Sequence, residues 1–144
     1  MPTPLKEILD EALLDEVKAR DTYRKIIETF GPVRPFINIV EAEQRHIDAL
    51  LALYEKYGIP LPALPDPAEI EVPGSLHEAC ELGVAAEIDN IALYDRLLAA
   101  SEPLDVQAVL RRLQTASRDH HLPAFQHCSE RGAGGGRGRR GGRA

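Results

Sequence analysis

The chain has few of the cysteines that stabilise small secreted domains. Cys80 and Cys128 are its two cysteines, and neither has a second cysteine at C-x-x-C spacing. Two cysteines are too few for a disulfide framework. We therefore expect both thiols to be reduced.

Aromatic residues and long apolar runs are also scarce. Aromatics make up 5% of the 144 residues and tryptophan is absent, whereas apolar residues make up 44%. This composition favours an aliphatic, helical core over a β-sandwich. The N-terminal residues are acidic and lack the basic start and apolar run of a signal peptide, and no run is long enough to cross a membrane. We expect a cytoplasmic protein without membrane contact.

Acidic and basic residues are unevenly distributed. The formal net charge is −6, but residues 131–144 carry five arginines and no acidic residue, so residues 1–130 have a net charge of about −11. An acidic body attracts cations and argues against nucleic acid as the main partner. The glycine-rich residues 131–144 offer little apolar surface and are expected to form a disordered tail. This tail is either passive, or it binds nucleic acid phosphates loosely or an acidic protein surface.

Hydrophobic periodicity predicts an all-α, four-helix domain over residues 1–130. The first helix is expected from about Pro4 to Phe30, with Thr3 as its N-cap, and the second from about Arg34 to Tyr57. The glycine- and proline-containing connection between them is short. The two helices should therefore be antiparallel neighbours.

A proline-rich segment separates the second helix from the third. Residues 58–74 contain five prolines, which prevent a helix and favour an extended chain that can run the length of one. We interpret this segment as the one long crossover of a ferritin-like antiparallel bundle. A linker between two domains is the alternative.

The last two helices have clear boundary signals. Ser75 and Glu78 are expected to form a capping box at the start of the third helix, and the fourth should run from near Pro103 to near Cys128. Pro123 should kink or end the last turn of the fourth helix because proline has no backbone N–H.

A glutamate interrupts the apolar stripe of each of the first three helices. Glu43 lies within the stripe of the second helix, and His46, three residues later, is on nearly the same face. Glu16 and Glu87 interrupt the first and third stripes in the same way. Burying an unpaired carboxylate costs roughly several kcal/mol, so each glutamate needs a partner. A metal ion is the obvious one, because helical bundles use E-x-x-H pairs to bind metal.

The two halves of the domain repeat one pattern. Glu16 is followed by Tyr23 at the spacing that separates Glu87 from Tyr94, with an offset of 71 residues between the halves. Each half thus pairs a helix with a core glutamate and a helix with a core histidine. Packed about a pseudo-two-fold axis, the halves would bring these side chains to one level, as in di-iron carboxylate proteins. The two tyrosines are candidates to hydrogen-bond groups around the ligands.

The fourth helix departs from the di-iron pattern because it lacks the expected glutamate. The residue three positions before His120 is Ser117, and the residue three positions before His121 is Arg118. Helical periodicity favours His120 as the ligand, since it continues the apolar stripe. Asp119 is an outside candidate.

Sequence blocks around these residues resemble the bacterial and archaeal ferritin-like family DUF2202, a domain of unknown function. The blocks are residues 15–23, 36–46, 83–87 and 121–125, and the similarity covers about residues 5–128. The resemblance implies a four-helix ferritin-like fold with a carboxylate and histidine metal centre. It favours His121 over His120 in the fourth helix. The residues to which it carries over the ligand role are Glu16, Glu43, His46 and Glu87.

The first functional hypothesis is a non-haem metal centre. Its ligands are Glu16, Glu43, His46, Glu87 and either His120 or His121. Such oxygen and nitrogen donors suit iron, expected here as a di-iron pair, as well as manganese or zinc. The protein would be an oxidoreductase of ferroxidase or peroxidase type that oxidises Fe(II) or reacts with O2 or peroxide, with a separate protein as electron donor.

Two other hypotheses remain open. One is a metal-binding bundle without catalysis, which sequesters or senses iron and assembles as a homo-oligomer; the missing glutamate of the fourth helix favours it. The other is a partner-binding bundle whose glutamates pair with arginines. Chelation should destabilise a metal-lined core but not an ion-paired one. The candidate arginines are Arg20, Arg45, Arg112 and Arg118.

Overall fold

Regular structure in the described part of the chain is entirely helical. The computed structural model describes residues 3–134. The α-helices are α1 (Leu5–Phe30), α2 (Phe36–Tyr57), α3 (Leu76–Ala100), α4 (Leu104–Ala116) and α5 (Leu122–Gly134). A π-helical turn, Ser117–His121, joins α4 to α5 without a break, so residues 3–134 form four helical rods. The prediction of an all-helical fold with four helices is confirmed for these residues.

Local capping signals account for some of the helix ends. As predicted, Ser75 caps α3, and its Oγ accepts a hydrogen bond from the Glu78 N–H at 3.1 Å. Gly58 ends α2 with a φ of 63°, a left-handed conformation that glycine adopts readily. The predicted cap at Thr3 is wrong, because Pro4 occupies the N-cap position of α1 and no side chain caps that helix.

The irregularity near Pro123 is a wide turn and not an end of the helix. The N–H of Leu122 bonds to the carbonyl of Ser117, five residues earlier, as in a π-helix. Proline cannot donate the next backbone hydrogen bond, so the helix tolerates it directly after this widened turn. The helix then continues as α5.

The core consists of two apolar clusters. The first is built mainly from the N-terminal half of α1, the C-terminal halves of α2 and α3, and α4. The second is built from the opposite halves of these helices and α5. Fully buried members of the first cluster include Leu9, Leu50, Tyr94 and Leu110. Members of the second include Tyr23, Phe36, Cys80, Phe125 and Cys128. The level between the clusters is polar, and it is the level at which the sequence places its core glutamates.

Close packing of α5 on α3 depends on Gly83. A Cβ atom at this position would lie 2.6 Å from ring atoms of Phe125, a distance that real Cβ atoms essentially never show. The Phe125 ring therefore rests on the backbone of α3. This contact sets the separation of the two helices.

The same contact region contains both cysteines. Cys80 of α3 and Cys128 of α5 form a disulfide, with Cα atoms 5.7 Å apart, an ordinary separation for such a bond. The expectation of two reduced thiols is therefore wrong. Cysteine number and sequence spacing could not show that these helices approach closely enough for the bond.

Two further expectations concern the chain as a whole. The predicted disordered tail begins at residue 131, but α5 continues to Gly134, and the rest of the predicted tail lies outside the described residues. None of the helices in residues 3–134 combines the length and hydropathy required to cross a bilayer.

The Gly83 contact yields a first prediction. Gly83→Ala should lower the free energy of unfolding by about 1–3 kcal/mol because the added methyl group overpacks the Phe125 ring, even though alanine favours helix by about 1 kcal/mol. Urea unfolding measures the change. In a Phe125→Leu background the same substitution should cost less, and equal costs in both backgrounds would contradict the close contact.

The disulfide yields a second prediction. Replacing Cys80 and Cys128 together by serine should lower the free energy of unfolding by about 2–4 kcal/mol, because the bond closes a loop with a sequence separation of 48 residues. Thiol titration of the unfolded, unreduced protein should detect no free thiol at these positions. Two titratable thiols, together with equal stability in the presence and absence of reductant, would refute the pairing.

Candidate metal centre

Five side chains with metal-ligating groups form the polar layer between the two clusters. The glutamates are almost fully buried, with exposed fractions of 1–2%, and His121 is 4% exposed. Each of α1, α2 and α3 contributes one glutamate, α2 also contributes a histidine, and the π turn contributes the other. The five residues of this polar layer are Glu16, Glu43, His46, Glu87 and His121.

The histidines approach the carboxylates through their Nδ1 atoms. Nδ1 of His46 lies 2.9 Å from Oε1 of Glu16 and 3.1 Å from Oε1 of Glu43. Nδ1 of His121 lies 3.4 Å from Oε1 of Glu87 and 4.0 Å from Oε1 of Glu43. The imidazole rings are stacked, with centroids 5.6 Å apart. Glu43 therefore lies between two pairs, each of one glutamate and one histidine.

Three atoms at this level lack a hydrogen-bond partner. Within residues 3–134, four buried side-chain nitrogen or oxygen atoms are unpaired, and three of them are Oε1 of Glu43, Oε1 of Glu87 and Nδ1 of His121. Leaving such atoms unpaired inside a protein is costly. One atom each from Glu43, His46 and His121 also lie within 4.8 Å of one another. Glu43 and His121 belong to both sets, so the residues fit a bound metal at this position.

Two buried tyrosines connect the halves of the fold at this layer. The Tyr23 hydroxyl of α1 donates to Oε2 of Glu87 on α3 at 2.8 Å, and the Tyr94 hydroxyl of α3 donates to Oε2 of Glu16 on α1 at 2.9 Å. The repeat seen in the sequence thus appears as a crosswise exchange of hydrogen bonds. Each bond fixes one carboxylate oxygen and leaves the other facing the histidines.

The environment of Glu16 differs from that of Glu87. Asn90 donates from Nδ2 to Oε2 of Glu16 at 3.0 Å and also to Asp15, and its Oδ1 accepts from Ser117 Oγ at 2.8 Å. Ser117 is 2% exposed and takes an inward position on the fourth rod. It occupies the level where a fourth glutamate was expected. The sequence identified Ser117 as the residue three positions before His120, but it did not predict the bond from Ser117 to Asn90.

Burial and mutual repulsion perturb the carboxylates of the layer. Burial, and the charges of Glu16 and Glu87, raise the pKa of Glu43 well above its ordinary value. Burial alone would raise the pKa of Glu16 as well, but its contacts with His46 and the Tyr94 hydroxyl lower it overall. Burial raises the pKa of Asp15 to about 6, opposed by the hydrogen bond from Asn90. Without metal, the layer therefore favours an ionised Glu16 beside a protonated Glu43.

Of the two candidate histidines in the fourth rod, His121 lies in the layer and His120 is exposed. Helical periodicity favoured His120 as the inward-facing histidine, but the structure places His121 there instead. The π turn contains one more residue per turn than an α-helix, which rotates His121 inward and His120 outward. Asp119, the outside candidate, is on the surface and pairs with Arg118.

The buried glutamates do not pair with arginine or lysine. In the described part of the chain, the cationic partners of Glu16, Glu43 and Glu87 are histidines. Arg20, one of the arginines considered as a partner, pairs with Asp21 instead. Ion pairing with arginine therefore does not account for these carboxylates.

Comparison with known proteins places this chain in a family. A family described as "Uncharacterized protein domain (DUF2202)" matches residues 11–136. The "Uncharacterized protein MJ0754" of Methanocaldococcus jannaschii is 30% identical over 130 residues, an alignment that covers 80% of this chain and 70% of that protein. The solved structure called "Crystal structure of hypothetical protein MJ0754 from Methanococcus jannaschii DSM 2661" has a TM-score of 0.80 and 27% identity, covering 92% of this chain and 86% of that chain. None of these descriptions states an activity. The family resemblance inferred from the sequence is confirmed, and the chain belongs to the DUF2202 family.

Proposed function

We propose that the protein is a ferritin-like metalloprotein that binds two iron ions in the polar layer and oxidises Fe(II) or reacts with O2 or peroxide. The observation that carries this proposal is the set of unpaired buried atoms on Glu43, Glu87 and His121. Bound cations that accept these three lone pairs would remove the cost of leaving them unpaired.

The arrangement of donors supports two metal positions. Glu16 and His46 would hold one ion, Glu87 and His121 the other, and Glu43 would bridge them. This grouping gives each ion one histidine and at least one carboxylate besides the bridge. Bundle di-iron sites are built from the same residue types on facing helices.

The donor set also supports iron as the metal. Carboxylate oxygen and imidazole nitrogen suit iron and manganese, with zinc as a further option, and the two cysteines are bonded to each other in the second apolar cluster. When bound, iron supplies electron transfer to O2 or peroxide. The protein would orient the carboxylates through Tyr23 and Tyr94 and exclude water by burial. A separate electron donor would restore the reduced state.

We further propose that the four rods form the antiparallel bundle of ferritin-like proteins. Contacts between α1 and α2 support opposite directions, because Asp10 bonds to Tyr54 near one end and Tyr23 packs on Phe36 near the other. Contacts between α1 and α3 support opposite directions for these two helices as well, because Glu11 pairs with Arg96 whereas Tyr23 bonds to Glu87.

Two contacts support the proline-rich segment as the long crossover of this bundle. Lys6, near the start of α1, donates to the carbonyl of Pro60 at 2.9 Å. Lys25, near the end of α1, donates to the carbonyl of Ile70 at 3.3 Å. The segment thus follows α1 over most of its length, which is what a connection between two parallel helices requires.

A second candidate function is metal binding without catalysis, in iron sequestration or sensing. Ser117 favours it, since this buried residue stands at the level of the absent fourth glutamate and bonds to Asn90 instead of offering a carboxylate. One metal position then has a poorer set of oxygen donors. Assembly of the chain as a homo-oligomer is compatible with both candidate functions.

Iron loading gives the third prediction. The full chain, loaded anaerobically with Fe(II) and desalted, should retain about two iron ions per chain by mass spectrometry. Glu43→Gln should retain at most about one, because it removes the bridging charge while keeping the side-chain shape. Glu41→Gln is the matched control, since Glu41 is an exposed residue on the same helix.

Admission of O2 then separates the two candidate functions. Near-ultraviolet absorbance that rises faster than in buffer, and not in Glu43→Gln, would support oxidation at the centre. Retained iron without this acceleration would favour sequestration or sensing. Equal iron retention by Glu43→Gln and wild type would eliminate the proposed site.

Metal-free stability gives the fourth prediction. Folding raises the pKa of Glu43, so between its ordinary value of 4.5 and its raised value the folded chain holds a proton that the unfolded chain has released. The free energy of unfolding of the metal-free protein, measured in the presence of a chelator, should therefore fall as the pH rises through that window. Asp15 adds to the fall between pH 3.8 and about 6. Thermal unfolding in chelator should show a flatter pH dependence for Glu43→Gln than for Glu41→Gln, and identical curves would exclude a protonated, buried Glu43.

A further inference from the structure

A cavity lined in part by Glu43 and Glu87 opens beside the proposed metal centre. It has a volume of about 520 Å³ and lies between α1, α3 and the proline-rich segment. Its inner end reaches Glu43 and Glu87, whose Oε1 atoms are buried and unpaired. Ligand cavities for small organic molecules have volumes of about 300–1,000 Å³. A metal ion alone requires far less space.

The walls of the cavity are mostly apolar. They are formed by small and aliphatic side chains of α1 and α3 and by the proline-rich segment, which Lys25 holds against α1 through the Ile70 carbonyl. Contact with a hydrated ion removes little apolar surface from water. Contact between the apolar walls and a hydrocarbon group does remove such surface, and it therefore stabilises the bound group. The apolar residues that line the cavity include Ala19, Pro67, Ile70, Leu82 and Ala86.

The lining also carries an excess of negative charge. Four exposed acidic residues contribute to it, and within residues 3–134 none of the four forms an ion pair. Lys18 is the one basic residue in the lining that the structure describes. Such a rim attracts cations and repels anions. The four acidic residues are Asp66, Glu69, Glu71 and Asp89.

We propose that this cavity binds a small organic cation, a primary amine with an aliphatic body. The ammonium group lies at the acidic rim, and the aliphatic body lies against the apolar walls. Binding of the amine rests on the cavity alone.

A ligand series of equal length tests the proposal. Hexylamine, 1-hexanol and hexanoate are titrated into the isotopically labelled full chain, and backbone amide shifts are followed by NMR. Hexylamine should bind about tenfold more tightly than 1-hexanol because several rim carboxylates act on its charge, and hexanoate should bind least. The largest shifts should fall on residues that line the cavity.

Two pairs of variants locate the binding site. Ala86→Phe should fill the cavity and abolish hexylamine binding, whereas Ala92→Phe, on an exposed position of the same helix, should leave it unchanged. Glu69→Gln combined with Asp89→Asn should remove most of the preference for hexylamine over hexanol. The control is Glu55→Gln combined with Glu102→Gln, which changes the same net charge at exposed positions outside the cavity.

The outcomes separate this inference from the metal function. Equal binding of hexylamine and hexanol, or shifts confined to other surfaces, would overturn it whatever the iron content. Hexylamine binding that persists in iron-free Glu43→Gln would support the cavity site independently of the metal. Normal iron retention in the wild-type protein without selective amine binding would contradict the amine site. The same result would remain consistent with the proposed metal function.

Discussion

The need to compensate three buried carboxylates governs the middle of this structure. Glu16, Glu43 and Glu87 are almost fully buried and have no arginine or lysine beside them in the described residues. Their charges raise one another's free energy, and burial prevents water from screening them. The available compensation comes from histidine, tyrosine and asparagine, and it leaves lone pairs free. Stability and site chemistry therefore depend on the same few contacts.

Much of this arrangement could be predicted from single helices. A glutamate in an apolar stripe is visible from the 3.6-residue period alone, so the positions of Glu16, Glu43 and Glu87 at one level followed from the sequence. The repeat indicated that Tyr23 and Tyr94 occupy equivalent positions in the two halves. No local sequence signal indicated that each would bond to the glutamate of the other helix. Whether a metal occupies the layer is a matter of affinity, and periodicity carries no information about affinity.

The errors arose where the outcome depends on interhelical geometry or on a local change of backbone register. Periodicity assumes an unbroken α-helix, so it selected His120, whereas the π turn before Pro123 presents His121. The disulfide depends on how closely α3 and α5 approach, and the missing Cβ of Gly83 sets that distance. The cavity depends on the path of residues 58–74, which have no periodicity to read.

Division of the core into two apolar clusters has a consequence for motion. Each cluster contributes its own buried surface at one end of the rods, and the polar layer contributes little hydrophobic free energy between them. The layer is therefore the part of the core that can open at the lowest free energy while both ends stay folded. A protein built in this way can expose its central polar layer to solvent through a local fluctuation, without unfolding.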